Sequence, residues 1–189
     1  LKDVADKLSL PIILKIGGVE AVTDIYCALA LGVKGIIAPM AETGFAASKF
    51  LNAIDTFVPD DNEKDIDFAI NIETITAYKN LDEILSLEKL KILTGLTVGR
   101  VDFGGSLGAD RSFANSDEML KYCTEIFQKA KSKNLKTALG GAIATEAIEF
   151  IKKLNSDKLI DKFETRKLVF HKDAIKNIEE GLPIGVKFE

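Results

Sequence analysis

Short apolar runs alternate with segments of helical period along this chain. Each run is rich in β-branched or aromatic residues and is bounded by Gly, Pro or a charge, which favours a strand over a helix. The first five runs are apolar on both faces for most of their length, as in parallel strands that helices cover. The six runs occupy residues 11–18, 35–40, 68–74, 96–102, 137–143 and 162–170.

The segments between the runs carry apolar residues at positions i, i+3, i+4 and i+7, which predicts amphipathic helices. One such helix is predicted over residues 115–133, where Ser116 and the acidic residues after it suit an N-cap and a first turn. The last predicted helix, residues 173–180, is expected to stop at Gly181, because Gly181 and Pro183 both disfavour its continuation.

This regular alternation of strand and helix predicts an α/β protein with a parallel sheet, either doubly wound or closed as a barrel. No linker or low-complexity segment divides the chain, so residues 1–189 are predicted to form a single domain. A barrel needs eight βα units and about six are visible, while residues 1–8 are typical of a helix that leads into the first visible strand. We therefore predict a TIM-like (β/α)8 barrel whose first units lie before Leu1 or are absent from this chain.

Composition excludes several classes of protein. The chain is 47% apolar and 29% charged with a net charge of −4, which is typical of a folded globular protein without a basic patch for nucleic acid. Its apolar runs are much shorter than the ~20 residues that a membrane-spanning helix needs. Cys27 and Cys123 lie in apolar helical patterns, which favours buried free thiols in a reducing cytoplasm and leaves a disulfide possible. We therefore expect a cytoplasmic protein that binds neither nucleic acid nor membranes.

Polar residues collect where the predicted strands end, which is where α/β sheets and barrels carry their sites. Asn71 and Glu73 are two residues apart and therefore share one face of their strand. Glu73 and Asp102 follow consecutive strands, where two unpaired carboxylates would repel each other. A hard divalent cation with oxygen ligands and waters would relieve that repulsion, so the pair predicts a Mg²⁺ or Mn²⁺ site.

The residues alone leave other interpretations of these strand ends open. Lys15 and Arg100 would neutralise the two carboxylates if they formed an ion-pair network without a metal. Glu164 and Arg166 are expected to form a salt bridge at the barrel rim, and His171 is expected at the surface. No nucleophile–histidine set, metal-binding cysteine pair or phosphate-binding glycine loop can be assembled from this sequence.

Three stretches resemble the HpcH/HpaI aldolase and citrate lyase β-subunit superfamily in their order and spacing. They are GVKGIIAPMAET (32–43), INIETITAYKNLDEIL (70–85) and LTVGRVDFGGSLG (96–108). The resemblance implies a (β/α)8 barrel that makes or breaks carbon–carbon bonds through a pyruvate-type enolate or an acyl-CoA. It also implies a homo-oligomer that assembles through C-terminal helices.

The resemblance assigns roles to individual residues. Glu73 and Asp102 would bind the divalent metal. Backbone amides of the Gly-x-x-Asp segment, around Gly99, Arg100 and Val101, would hold the carboxylate of a 2-oxo acid substrate. Lys15 stands where the family usually has Arg, and it would be the catalytic cation. Asn71 stands where the family often has Gln, and it would bind the substrate.

The functional hypothesis is a metal-dependent carbon–carbon lyase that acts on a 2-oxo acid or an acyl-CoA-like substrate, with Lys15 polarising the carbonyl or enolate oxygen. Two alternatives remain: a Schiff-base aldolase with Lys15 as its nucleophile, and a non-catalytic barrel that serves as a binding or assembly subunit. In the aldolases a histidine near an earlier strand helps to move protons. That strand would precede Leu1, and no visible residue is predicted to replace the histidine.

Overall fold

One curled sheet organises the molecule. The structure is a computed structural model that describes residues 2–188, and all strand neighbours within that range follow sequence order. Strands β1 to β6 run parallel and β7 runs antiparallel to β6. The strands are β1 (Ile13–Lys15), β2 (Gly35–Ala38), β3 (Asp67–Ile72), β4 (Gly95–Gly99), β5 (Lys136–Gly140), β6 (Lys162–Glu164) and β7 (Val169–His171).

The strand order decides between the two architectures that the sequence left open. A doubly wound sheet reverses its strand order at a switch point, whereas this sheet never reverses and curls into a half-barrel. The predicted α/β, TIM-like class is confirmed. The helices that connect the strands are α1 (Lys2–Lys7), α2 (Val22–Leu31), α3 (Gly44–Phe57), α4 (Asp60–Glu63), α5 (Ile75–Lys79), α6 (Leu81–Ile84), α7 (Arg100–Ser106), α8 (Asp117–Ser132), α9 (Ile148–Ser156) and α10 (Ile178–Phe188).

The two faces of the sheet have different chemistry because side chains alternate along each strand. The convex face carries large apolar side chains, such as Phe68, Val98 and Leu139, that are buried in one cluster with the apolar faces of the helices. The concave face carries smaller or polar residues, and the register places Asn71 beside Thr97. The core therefore lies between the sheet and its helices, and the concave face is left for a cavity.

Three predicted elements differ most from the structure. The run 96–102 is not one strand, because β4 ends at Gly99 and α7 begins at Arg100. The run 162–170 is not one strand either, but a hairpin of β6 and β7 whose turn is closed by a hydrogen bond of 2.9 Å from the amide of Thr165 to the carbonyl of Leu168. The rings of Phe163 and Phe170 stack across this hairpin at 5.1 Å, so two short strands pair where one was expected.

The last predicted helix, 173–180, is the third case: Lys172–Asn177 forms a 3-10 helix, and α10 begins at Ile178 and continues through Gly181 and Pro183 to Phe188. Its apolar face explains the continuation: Ile178 and Leu182 are buried, and Gly185 lies so close to Phe170 that an added Cβ would be 2.5 Å from the ring. Tertiary packing thus overrides the local preference to stop.

The cysteines are free, but only one of them is buried. Burial raises the pKa of Cys123 in α8 to about 12, so its thiol stays protonated and inert. Cys27 is exposed, contrary to prediction, because α2 turns Ile25 and Ala28 to the core and Cys27 lies off that face. In the described part of the chain, no helix combines the length and apolar character needed to cross a membrane.

Candidate active site at the carboxyl ends of the strands

Two threonines set the directions in which the chain leaves β2 and β3. The hydroxyl of Thr43 accepts a hydrogen bond of 3.0 Å from the amide of Ala46 and so caps α3. Thr74 caps α5 in the same way through the amide of Ala77 and donates its own hydroxyl proton to Glu42 at 2.7 Å. Each Glu-Thr pair therefore follows a strand and starts a helix, and the bond from Thr74 to Glu42 joins the two segments.

A cavity of about 610 Å³ opens at the carboxyl ends of the strands. Six of the seven sequence-predicted site residues line it, and the seventh, Arg100, does not. The six are Lys15, Asn71, Glu73, Gly99, Val101 and Asp102. The structure therefore brings together residues that are up to 87 positions apart in the sequence, from β1 to the first turn of α7.

Glu73 is held rigidly beside the cavity, immediately after β3. Only 3% of its surface is exposed, and its carboxylate accepts hydrogen bonds of 3.0 Å from the backbone amide of Met40 and from the side-chain amide of Asn71. Met40 has a φ of 53°, a left-handed conformation that few non-glycine residues adopt. These bonds fix the orientation of the carboxylate and leave each oxygen a lone pair for a further partner.

Asn71 has one unused acceptor. Its nitrogen donates to Glu73, and its Oδ1 is the one buried side-chain polar atom of residues 2–188 that has no hydrogen-bond partner. An unsatisfied buried polar atom costs about 1–3 kcal/mol, so such atoms need an explanation. Because Asn71 lines the cavity, a donor or cation bound in the cavity would satisfy this oxygen.

Asp102 and Lys15 lie on opposite sides of Glu73 along the sheet. Both side chains are exposed to the cavity, and within the described range neither forms a hydrogen bond or ion pair. The alternative interpretation, an ion-pair network in which Lys15 and Arg100 neutralise Glu73 and Asp102, is not what the structure shows: none of these pairs is in contact in the part of the chain described.

Arg100 faces away from the cavity and is completely buried. Its guanidinium donates to the carbonyls of Ala114, Gly140 and Gly141 at 2.8, 3.2 and 2.6 Å, and it lies 4.6 Å from the centre of the Phe150 ring. Burial lowers the pKa of Arg100 to about 10, which leaves it protonated near neutral pH. The side chain is a structural clamp, so only the backbone of Arg100 is available to a ligand.

Gly141 leaves space in front of the first amides of α7. It has a φ of +74°, and a Cβ at this position would lie 2.7 Å from the nitrogen of Val101 and 2.8 Å from that of Arg100. The first amides of a helix have no partner within the helix. The missing side chain of Gly141 therefore keeps open the approach to the backbone that the sequence proposed for substrate binding.

Glu164 is a third carboxylate of this cavity, although its sequence context predicted only a salt bridge. Glu164 ends β6, lines the cavity, and within residues 2–188 forms neither the predicted salt bridge with Arg166 nor any other hydrogen bond or ion pair. Burial, as the largest cause, raises the pKa of Glu164 to about 7; the charge of Glu73 adds to this rise, while Lys15 and Lys162 oppose it. The alternation of side chains along a strand could have placed Glu164 in the cavity, because Glu164 follows Lys162 by two residues and therefore shares the concave face with it.

The donor set at this cavity fits magnesium or manganese better than a softer metal. The described residues contain no group of three or more His, Cys, Asp or Glu side chains that would form a closed metal site. Two carboxylates, Glu73 and Asp102, and the unpaired amide oxygen of Asn71 are hard oxygen donors. Mg²⁺ is usually held by one or two carboxylates and keeps several waters, so the residues present are compatible with such an ion.

An α/β half-barrel with its polar residues at the carboxyl ends of parallel strands places this chain among TIM-like barrels. The chain belongs to the HpcH/HpaI aldolase/citrate lyase family, whose sequence pattern matches residues 13–149. A comparison with curated proteins finds no match.

Solved structures share the fold at low sequence identity. The citrate synthase SbnG superimposes with a TM-score of 0.70 at 15% identity, covering 98% of this chain and 76% of its own. An HpcH/HpaI aldolase from Desulfitobacterium hafniense DCB-2 superimposes with a TM-score of 0.68 at 14% identity, and the match covers 100% of this chain and 75% of the aldolase. A citrate lyase β subunit from M. tuberculosis, complexed with oxaloacetate and magnesium, superimposes with a TM-score of 0.59 at 14% identity. That match covers 91% of this chain and 75% of the β subunit. These similarities establish the TIM-like fold.

Proposed function

We propose that this protein is a metal-dependent carbon–carbon lyase that acts on a 2-oxo acid or an acyl-CoA-like substrate. One observation carries the proposal: Glu73 and Asp102 line the same cavity, with the unpaired Oδ1 of Asn71 and the unpaired ammonium of Lys15 beside them. Three oxygen donors and one cation suit a ligand that combines a metal ion with an anionic oxygen. Membership of a family of aldolases and citrate lyases supports the same reaction class.

Glu73 and Asp102 are the residues that would hold Mg²⁺ or Mn²⁺. The bonds from Met40 and Asn71 orient the Glu73 carboxylate before any ligand arrives, so little reorganisation is needed on binding. When bound, such an ion acts as a Lewis acid on a carbonyl oxygen and orients the substrate. The complex of the M. tuberculosis citrate lyase β subunit with oxaloacetate and magnesium is consistent with this ligand chemistry.

Lys15 would stabilise the charge that develops on the substrate oxygen when an enolate forms. Its side chain lines the cavity and, within residues 2–188, forms no hydrogen bond or ion pair with a carboxylate. A positive charge placed where negative charge develops typically contributes about 10²–10³-fold to the rate. The first amides of α7, around Gly99, Arg100 and Val101, would hold the substrate carboxylate in the space that Gly141 leaves.

Pyruvate release from a panel of 4-hydroxy-2-oxo acids, measured with Mg²⁺, Mn²⁺ or EDTA, tests this function, with citryl- and malyl-CoA as thioester substrates. We expect turnover with the metals, loss with EDTA, and a fall of about 10²–10³-fold in kcat for Lys15→Met. Lys34→Met is the matched control, because Lys34 is exposed at the opposite end of the sheet. No turnover with any metal or substrate would contradict the proposal and favour a binding or assembly subunit.

A Schiff-base aldolase is the second candidate, because a free lysine amine in a cavity is also the requirement for imine formation with a 2-oxo acid. Borohydride reduction in the presence of pyruvate separates the two mechanisms. A mass increase on Lys15, together with turnover that persists in EDTA, would support the Schiff base. An unmodified lysine with EDTA-sensitive turnover would support the metal-dependent lyase.

A further inference from the structure

Glu164 has the position of a catalytic group, although its sequence context suggested only a rim salt bridge. It is the last residue of β6 and lines the cavity that contains Glu73 and Asp102. Its carboxyl group lies over Gly140 of the neighbouring strand, where an added Cβ would be 3.3 Å from Oε1 of Glu164. The absence of a side chain at Gly140 therefore provides the space that the Glu164 side chain occupies.

The carboxyl group of Glu164 is available for chemistry. Within residues 2–188 it forms no hydrogen bond and no ion pair, in contrast to Glu73, which accepts two hydrogen bonds. The charged groups near it are Lys15 of β1, Lys162 of its own strand and Glu73 after β3. The other charged residues that line the cavity are Asp102, Arg111, Arg166 and Lys167.

The pKa of Glu164 allows this side chain both to accept and to donate a proton near neutral pH. Burial raises its pKa to about 7, and the efficiency of a general acid or base is greatest when its pKa is close to the working pH. A cation held by Glu73 would cancel the contribution from the charge of Glu73 and would itself favour the ionised form of Glu164, so it would lower this pKa. The largest cause, burial of Glu164 itself, would remain.

We propose that Glu164 is the acid–base residue that carries the substrate proton during carbon–carbon cleavage in this cavity; this inference rests on the proposed lyase function. Ionised Glu164 removes the proton from the C4 hydroxyl of a 4-hydroxy-2-oxo acid. The C3–C4 bond then breaks, its electron pair goes to the C3 side, and an aldehyde and the pyruvate enolate result. Protonated Glu164 returns the same proton to C3, which gives pyruvate and restores the carboxylate.

The remaining candidates for this role are less suitable. Glu73 and Asp102 are assigned to the cation, and Lys15 is assigned to the developing oxygen charge. His171 does not line the cavity; it is exposed and contacts Asp173 at 3.0 Å. Among the carboxylates that line the cavity in residues 2–188, this leaves Glu164 as the one without another assignment.

Exchange of the methyl protons of pyruvate for deuterium, followed by NMR in D₂O with Mg²⁺, isolates the proton step from carbon–carbon cleavage. For Glu164→Gln we expect this exchange and pyruvate release from 4-hydroxy-2-oxo acids to fall by about 10²–10⁴-fold. Calorimetric affinities for Mg²⁺ and for pyruvate should stay within about 3-fold of wild type, because Glu164 is assigned to neither. Glu146→Gln, at an exposed glutamate outside the cavity, is the control and should exchange like wild type.

The outcomes separate this inference from the function on which it rests. Wild-type protein that exchanges and cleaves, with Glu164→Gln equal to it and the same pH profile in both, would overturn the role of Glu164 and leave the lyase intact. Wild-type protein that neither binds Mg²⁺ nor exchanges pyruvate would overturn the proposed function and this role with it. Loss of exchange with unchanged binding of Mg²⁺ and pyruvate would support the proposal.

Discussion

The carboxylate of Glu73 occupies the space that a side chain at position 99 would need. A Cβ added to Gly99 would lie 2.6 Å from Oε2 and 2.8 Å from Cβ of Glu73, distances that require one of the two residues to move. Glu73 cannot move freely, because its two oxygens are held by Met40 and Asn71. The absence of a side chain at Gly99 is therefore a condition for the position of Glu73.

Gly99→Ala should consequently damage both stability and metal binding. We expect a loss of about 1–3 kcal/mol in the free energy of unfolding from overpacking, together with weaker Mg²⁺ binding, because Glu73 is displaced. Urea denaturation and calorimetric titration with Mg²⁺ measure the two effects. Gly105→Ala is the matched control: a Cβ there has no neighbour within 4 Å, and alanine in helix α7 should be neutral or stabilising. Equal behaviour of the two variants would show that Gly99 does not position Glu73.

Glu73→Gln and Asp102→Asn should each abolish measurable Mg²⁺ binding while the protein stays folded. Both substitutions preserve side-chain shape and remove one charged oxygen ligand. A loss of about 100-fold or more in affinity is expected, above the 10–100-fold that outer residues of a metal site contribute. Calorimetry with pyruvate present gives the affinity, and circular dichroism tests the fold. Glu118→Gln, on the exposed side of α8, is the control and should bind Mg²⁺ like wild type. If the Glu73 and Asp102 variants unfold, the role of these carboxylates is structural.

Arg100→Lys should destabilise the protein although it keeps the charge. Lysine lacks the planar fork that donates to four backbone carbonyls, and it cannot satisfy all of these acceptors. We expect a decrease of about 2–4 kcal/mol in the free energy of unfolding. Arg111→Lys, at an exposed position on the rim of the cavity, should change it by less than about 0.5 kcal/mol. Similar urea midpoints for the two variants would contradict the clamp.

The raised pKa of Glu164 predicts a specific dependence of stability on pH. Between its ordinary value of 4.5 and about 7, the folded protein holds this proton more tightly than the unfolded chain does. The resulting stabilisation is complete below pH 4.5 and is lost as the pH rises through about 7. Glu164→Gln removes the ionisation, so at pH 8 it should be more stable than wild type by about 3 kcal/mol, and the difference should shrink towards pH 5.

Urea unfolding of metal-free protein at a series of pH values between 5 and 8 measures this difference. Glu146→Gln should run parallel to wild type over the whole range, because Glu146 is exposed. A constant difference between Glu164→Gln and wild type would mean that Glu164 keeps its ordinary pKa in the folded protein.

The sequence predicted the parts of the fold that depend on local pattern. Strands β1 to β5 were located because apolar runs and glycine boundaries are local signals, and Glu73 and Asp102 were brought together because parallel strands end at one edge. The end of β4 was missed, since Val101 and Phe103 favour a strand and the helix begins there through tertiary contacts of Arg100. Four of those contacts are made with backbone carbonyls, which every residue has, so no sequence pattern reveals them.

Glu164 escaped prediction for a different reason. Its neighbour Arg166 offered a local partner, and the turn that separates β6 from β7 was not recognised within the apolar run. Only the curvature of the sheet brings Glu164 close enough to Lys15 of β1 and Glu73 of β3 to be affected by their charges. Glu164 is far from Lys15 and Glu73 in the sequence, and local periodicity carries no information about such long-range contacts.

The clamp formed by Arg100 also determines which walls of the cavity can move. Its bonds tie the start of α7, the segment 111–115 and the turn 140–142 to one guanidinium, so these three pieces must shift as one rigid body. We therefore expect this wall of the cavity to keep its shape when a ligand enters. Asp102, in the first turn of α7, would therefore meet an arriving substrate already in place.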